Sequence, residues 1–129
     1  MIAWWAPWIG RPFHPERFSC WGLVREVHRD VLGIDLPAYG EVSARDLARV
    51  ARAMTDFEGP QWATADGGRD FDVVLMRGTS GGRRVVHVGL MAGGEVLHVE
   101  EASHAVRVPP GHFSVAGRIV GFRRVQGRA

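Results

Sequence analysis

The sequence predicts an α+β domain: N-terminal helices packed on an antiparallel β-sheet of about five strands. Three features predict it. Apolar residues recur at three- and four-residue spacing after Ser19, β-branched residues alternate from Arg84 to Met91, and Gly93-Gly94 separates two such alternating runs. Helices come first and strands after, the segregated order of an α+β fold. The 129 residues make a single domain, 1–129, within the roughly 100–200 residues usual for one. A chain of this length buries a core without disulfides or a structural metal. With 46% hydrophobic and 23% charged residues, it is not a disordered chain.

The elements follow in order. Trp4, Trp5, Pro7 and Trp8 form an apolar opening with no basic stretch before it, which suits a packed segment better than a signal peptide. Ser19 is a helix N-cap, and Leu23, Val24, Val27, Val31 and Leu32 form the apolar stripe after it. Gly33 supplies the left-handed stop and Pro37 prevents continuation. A second helix is expected from Ser43, with Asp46 in a capping-box-like position and Leu47, Val50 and Met54 on its apolar face. Turn-rich segments at Glu58-Gly59-Pro60 and Asp66-Gly67-Gly68 divide the chain. Strands are then expected at Asp72–Met76, Arg84–Met91, Glu95–Glu101, Ala105–Val108 and Gly117–Phe122, arranged as a meander.

Charge and cysteine content remove several classes. All 16 basic residues are arginine and the net charge is +2, too small and too dispersed for a nucleic-acid footprint. The densest group, Arg118, Arg123, Arg124 and Arg128, reads as a solvated strand end and tail. No run approaches the roughly 18 apolar residues of a membrane span. The single cysteine, Cys20, excludes an intramolecular disulfide, and the protein is expected to be made and folded in a cytoplasm.

Cys20 would be the first residue of its helix. Free backbone N–H groups and the positive end of the helix dipole favour thiolate there, so its pKa is expected below about 8.5. A small buried hydrophobe is the other role open to a lone cysteine. On the strand from Arg84, Val85, His87, Gly89 and Met91 share one face while Val86, Val88 and Leu90 take the other. On the return strand, Val96, His98 and Glu100 share a face. A turn symmetric about Gly93-Gly94 sets Glu100 opposite His87 and Gly89 opposite His98, which makes the two histidines diagonal neighbours within side-chain reach. A cysteine nucleophile needs a base beside it, and the base needs a third polar group to fix its ring. Cys20, His87 and His98 can fill these places, with Glu100 a rival for the third. Cys20, His87 and His98 could also form a three-ligand zinc site. His14, His28, His104 and His112 carry no motif, and His28 is expected on the flank of the cysteine helix.

The stretch Ser19-Cys20-Trp21-Gly22-Leu23-Val24-Arg25 resembles the cysteine-helix motif of the NlpC-type peptidases, whose fold is a permuted papain-like one. The likeness continues through Leu32-Gly33-Ile34-Asp35-Leu36-Pro37, Asp72 to Arg77, His87-Val88-Gly89-Leu90, Leu97-His98-Val99-Glu100 and Gly121-Phe122-Arg123. It covers nearly the whole chain, with the motifs in order, and looks like the cell-wall peptidase subgroup of phage tails. The resemblance implies a cysteine endopeptidase that cleaves peptidoglycan stem peptides through a thioester acyl-enzyme, with Cys20 as nucleophile, His87 as base and His98 as the group that orients it. It implies no cofactor and no metal. The backbone N–H of Cys20 would hold the oxyanion.

Two positions depart from the pattern. Many members carry aspartate where this chain has Ser19, and tyrosine where Gly10-Arg11-Pro12-Phe13 ends in phenylalanine. The implied place of work is the tail tip of a phage or phage-like particle, beside tail-tip or baseplate proteins and acting at the cell wall. The tryptophans of the N-terminus and the C-terminal arginines are the surfaces expected to dock there. The alternative is a structural tail-tip or tail-assembly protein that keeps the fold with weak or no hydrolysis.

Overall fold

The cap at Ser19 forms as its side chain requires: the hydroxyl accepts a 3.1 Å hydrogen bond from the Gly22 N–H and opens helix α1 (Cys20–Val27). A cap of this kind contributes about 1 kcal/mol. The computed structural model describes residues 2–38, 52, 62–79, 82 and 84–126. The helix expected from Ser43, the turn at Glu58-Gly59-Pro60 and Arg128 lie outside these residues.

Cys20, Leu23, Val24 and Val27 form the buried face of α1. The chain then widens into a π-turn over His28–Leu32 before Gly33 stops it at φ 69°. The wider turn advances the inward face by a residue relative to α-helical spacing. This corrects two expectations. His28 is not on a flank but fully buried, with Nδ1 2.8 Å from the Val24 carbonyl and its ring against Trp62. Val31, expected in the apolar stripe, is exposed.

The sheet has six antiparallel strands, one more than expected: β1 (Trp62–Ala65), β2 (Val73–Arg77), β3 (Val85–Ala92), β4 (Glu95–His98), β5 (Val106–Val108) and β6 (Ile119–Val125). The spatial order is β1-β6-β2-β3-β4-β5. β1 was missed because Trp-Ala-Thr-Ala carries no apolar alternation; it exists by pairing with β6 and burying Trp62. The simple meander is also corrected. β2 to β5 are consecutive neighbours, but β6 returns across the sheet to lie between β1 and β2. A bidentate ion pair ties it there: Arg124 Nε and Nη2 lie 2.6 and 2.7 Å from the carboxylate of Asp72, which is wholly buried.

The β3–β4 hairpin has the symmetric register expected, with Leu90 opposite Leu97, Met91 opposite Val96 and Ala92 opposite Glu95. Gly93 and Gly94 turn at φ 60° and 83°, positive values that a tight two-residue hairpin requires. Strict alternation fails at one place. Met76 pairs with His87 but Arg77 with Val85, so Val86 is an extra residue that bulges β3. Val85 therefore packs with the Val88 side of the core rather than the His87 side. A second irregularity sits on the other edge of β2, where Leu75 pairs with Gly121 and Met76 with Ile119, leaving out Val120.

The main core lies between α1 and one face of the sheet, with Val73, Leu75, Val88, Leu90 and Leu97 beneath the helix. A smaller cluster on the other face gathers Val74, Met76, Met91, Val96 and Val115. The N-terminal segment packs onto this body, as expected. Trp8 is buried, Trp4 donates to Asp70 at 2.9 Å and stacks against Phe71, and Arg107 lies over the Trp5 ring. Its indoles are thus occupied within the domain, and the exposed large apolar side chains of the segment are Ile2 and Ile9. The C-terminal arginines are not merely solvated either: Arg124 holds Asp72 and Arg118 holds Glu100. No helix among the described residues is long and apolar enough to cross a membrane.

Candidate active site

Cys20 is presented by the first turn of α1 and is 3% exposed. The backbone N–H groups of Val88, Trp21 and Cys20 itself act on its sulfur. Packing α1 on the sheet sets this thiol by the bulged end of β3, and Cys20, His87, Glu100, Arg118 and Phe13 line one cleft of about 310 Å³.

His87 and His98 meet from adjacent strands. Nε2 of His87 lies 2.8 Å from Nδ1 of His98, with the rings edge-on at 73° and their centroids 5.1 Å apart. The nearest Glu100 oxygen is 3.8 Å from the same His87 nitrogen. A return strand running to Glu101 would set the carboxylate opposite His87, but β4 ends at His98, so Glu100 lies beyond the strand while the diagonal histidine stays on it. Gly89, facing His98, makes the approach possible. A Cβ there would stand 2.8 Å from the Leu97 carbonyl oxygen and 3.0 Å from His98 Cβ.

The hydrogen bond between the rings carries one proton, so the tautomers are linked. If His87 donates through Nε2, its Nδ1 keeps a lone pair and His98 carries its own proton on Nε2. That His98 nitrogen is buried with no hydrogen-bond partner among the described residues. Either tautomer leaves it unpaired, a cost of about 1–3 kcal/mol.

Burial decides the charge state of the pair. Desolvation pushes the Cys20 pKa up to about 11, against the lowering pull of the Val88 N–H from β3 and, after it, the Trp21 and Cys20 N–H groups that the helix start predicts. The expected depressed thiol is therefore corrected. Desolvation likewise pushes His87 down to about 3, with His98 and Arg118 adding in the same direction, and burial lowers His98 too. At neutral pH the thiol and both imidazoles are neutral. Burial thus argues against a standing thiolate–imidazolium pair.

Sequence reasoning missed Arg118 as a member of the site, because nothing local to Gly117-Arg118 signals it. Arg118 Nη1 lies 2.5 Å from Glu100 and 2.8 Å from the Ser114 carbonyl, while Nε donates to the Arg77 carbonyl at 3.0 Å. Glu100 is thus not a free strand end but half of an ion pair on the cleft. No protein-family model matches the chain, and no curated protein does.

The zinc alternative does not form as first drawn. Among the described residues, the donor atoms that converge are those of His87, His98 and Glu100, all within 4.8 Å of one another, with Cys20 outside the group. His14 and His112 have local roles: the first accepts the Glu16 and Arg17 N–H groups in a turn, and the second pairs with Ser114. The segment with Phe13 is held against residues 103–105 by backbone bonds from Phe13 to Ser103 and from Ala105 to Arg11, both 2.8 Å. Phe13 thereby brings an apolar ring to the cleft.

Proposed function

We propose that the chain is a cysteine endopeptidase of the NlpC type, with a permuted papain-like fold, carried in the tail tip of a phage or phage-like particle. Its substrate is a peptidoglycan stem peptide. The observation that carries this reading is that His87 shares a cleft with a cysteine at a helix start and is hydrogen-bonded behind it to His98. The sulfur of Cys20 attacks the scissile carbonyl as its proton passes to Nδ1 of His87, and His98 accepts the His87 Nε2–H and steadies the imidazolium that forms. The tetrahedral oxyanion faces the Cys20 backbone N–H. Collapse forms the thioester and expels the amine, which takes the proton from His87. Water then attacks the thioester with His87 as base, releasing the acid and the thiol. The protein is made in the bacterial cytoplasm and acts at the cell wall beside tail-tip or baseplate neighbours.

Purified protein incubated with stem-peptide fragments of peptidoglycan should release an amine and an acid, and Cys20→Ala should release neither. Equal turnover by Cys20→Ala would end the proposal.

A second reading, a structural tail-tip protein on the same scaffold, is favoured by one observation: a thiol that is 3% exposed and held neutral in the resting protein. The departures at Ser19 and Phe13 point the same way. Trapping decides between the two. An acyl-thioester on Cys20 after exposure to stem peptide belongs to the enzyme, and an unmodified thiol with intact substrate belongs to the structural protein.

A further inference from the structure

We infer that His87, His98 and Glu100 form a binding site for a divalent transition metal of the zinc type, in competition with the hydrogen bond that joins the two histidines. The site uses Nε2 of His87, Nδ1 of His98 and a carboxylate oxygen of Glu100, donor atoms that lie within 4.8 Å of one another. Two imidazoles and one carboxylate suit zinc, cobalt or nickel rather than calcium or magnesium.

The geometry is close to what such an ion requires. Two nitrogens bound tetrahedrally at about 2.0–2.1 Å stand about 3.3 Å apart. The observed 2.8 Å therefore has to open by about half an ångström. Glu100 Oε1, at 3.8 Å from His87 Nε2, has to close by a similar amount. Glu100 is 40% exposed on the cleft, so the ion has a path in and water can complete its coordination.

Arg118 is the opposing charge, because the same carboxylate oxygen holds its guanidinium. Its bonds to the Ser114 and Arg77 carbonyls remain when Glu100 turns to the metal, so the guanidinium is not left bare. His112 adds a further imidazole near His98, engaged with Ser114. The His98 Nε2–H finds no acceptor among the described residues, and a ligand histidine without that outer partner typically binds 10–100-fold more weakly. The site is thus built for reversible occupation.

Proton bookkeeping gives it a signature. Both imidazoles are neutral before binding, one proton each, and the metal takes a lone pair from each ring. The protons then rest on His87 Nδ1 and His98 Nε2, and none is released. Resting on the peptidase reading, this has a regulatory consequence: His87 Nδ1–H cannot accept the Cys20 proton, so the occupied enzyme is switched off.

Calorimetric titration of the metal-free protein with zinc chloride, in two buffers of different ionisation enthalpy, tests the site without reference to activity. One site is expected, with heat independent of buffer, unchanged in Cys20→Ser and weakened at least tenfold in Glu100→Gln and His98→Asn. Cobalt substitution of the unaltered protein should give ligand-field bands without a thiolate charge-transfer band, which keeps the test decisive if a variant misfolds. Release of a proton together with loss of binding in Cys20→Ser would move the ion to the thiolate and overturn the assignment. Full affinity in both Glu100→Gln and His98→Asn, or no binding at millimolar zinc, would do the same. A failure to hydrolyse stem peptide by metal-free protein would strike the peptidase reading alone.

Discussion

The alkylation of Cys20 by iodoacetamide offers the sharpest check on the charge state of the cleft. Cys20 is the chain's one cysteine, so a single label reports a single site. Raising the thiol from its ordinary 9.0 to about 11 lowers its thiolate fraction at pH 7 about a hundredfold. At 3% exposure, access to the sulfur slows the reaction further. The expected rate at pH 7 is therefore at least a hundredfold below that of a free small thiol, rising tenfold per pH unit up to about pH 10. Replacing His87 by glutamine should change this rate less than threefold, because no imidazolium stands beside the sulfur at rest. Mass spectrometry of the timed reaction, with Cys20→Ser as blank, supplies the profile. A plateau of rapid labelling from about pH 5 upward, lost in His87→Gln, would show a standing ion pair and refute the argument that burial outweighs the N–H groups around the sulfur.

Other outcomes follow from the same geometry. Because the folded protein holds His87 down to about 3 against an ordinary 6.5, the unfolded chain binds the extra proton between these values. The stability that His87 contributes is present above about pH 6.5 and lost as pH falls toward 3; the loss from pH 7 to pH 5 is about 2 kcal/mol. Urea unfolding at those two pH values should show it, with His98 acting in the same direction and His87→Gln flattening the slope. Gly89→Ala should cost about 1–3 kcal/mol, since its Cβ meets backbone at Leu97 and the base of His98; a change below about 0.5 kcal/mol would mean the hairpin yields freely. Asp72→Ala leaves Arg124 without its bidentate partner and should cost about 2–4 kcal/mol in denaturant titration. In a preparation that turns over stem peptide, His98→Ala should lose more rate than Glu100→Ala, and the reverse order would make Glu100 the group that orients His87.

Much of the site was legible because its parts are local. The cap at Ser19 needs only a hydroxyl before an apolar helix, and the hairpin register needs only two glycines between alternating runs. Those two facts place Cys20 at a helix start and bring His87 and His98 within reach. Arg118 and β1 were not legible, because each depends on partners far along the chain: Glu100 is 18 residues from Arg118, and β1 pairs with the last strand. The π-turn at His28–Leu32 escaped for a related reason, since α-helical periodicity assumes the winding that the turn changes.

By itself, then, the sequence determined the segregation of helix from strands, the start and stop of α1, the β3–β4 register and the identity of the groups that could do chemistry. These follow from side-chain period, capping and turn geometry, all short-range effects. Tertiary structure alone decided the order of the sheet, the bulge that re-aims Val85, the choice of His98 over Glu100 as the nearest partner of His87 and the charge on Cys20. The last is the clearest case. The helix-start N–H groups of Cys20 and Trp21 are written into the local sequence and favour thiolate, whereas the Val88 N–H comes from β3 and desolvation comes from the wall of the core closing over the sulfur. No local pattern reports how much water that wall removes, and here its removal is the larger effect.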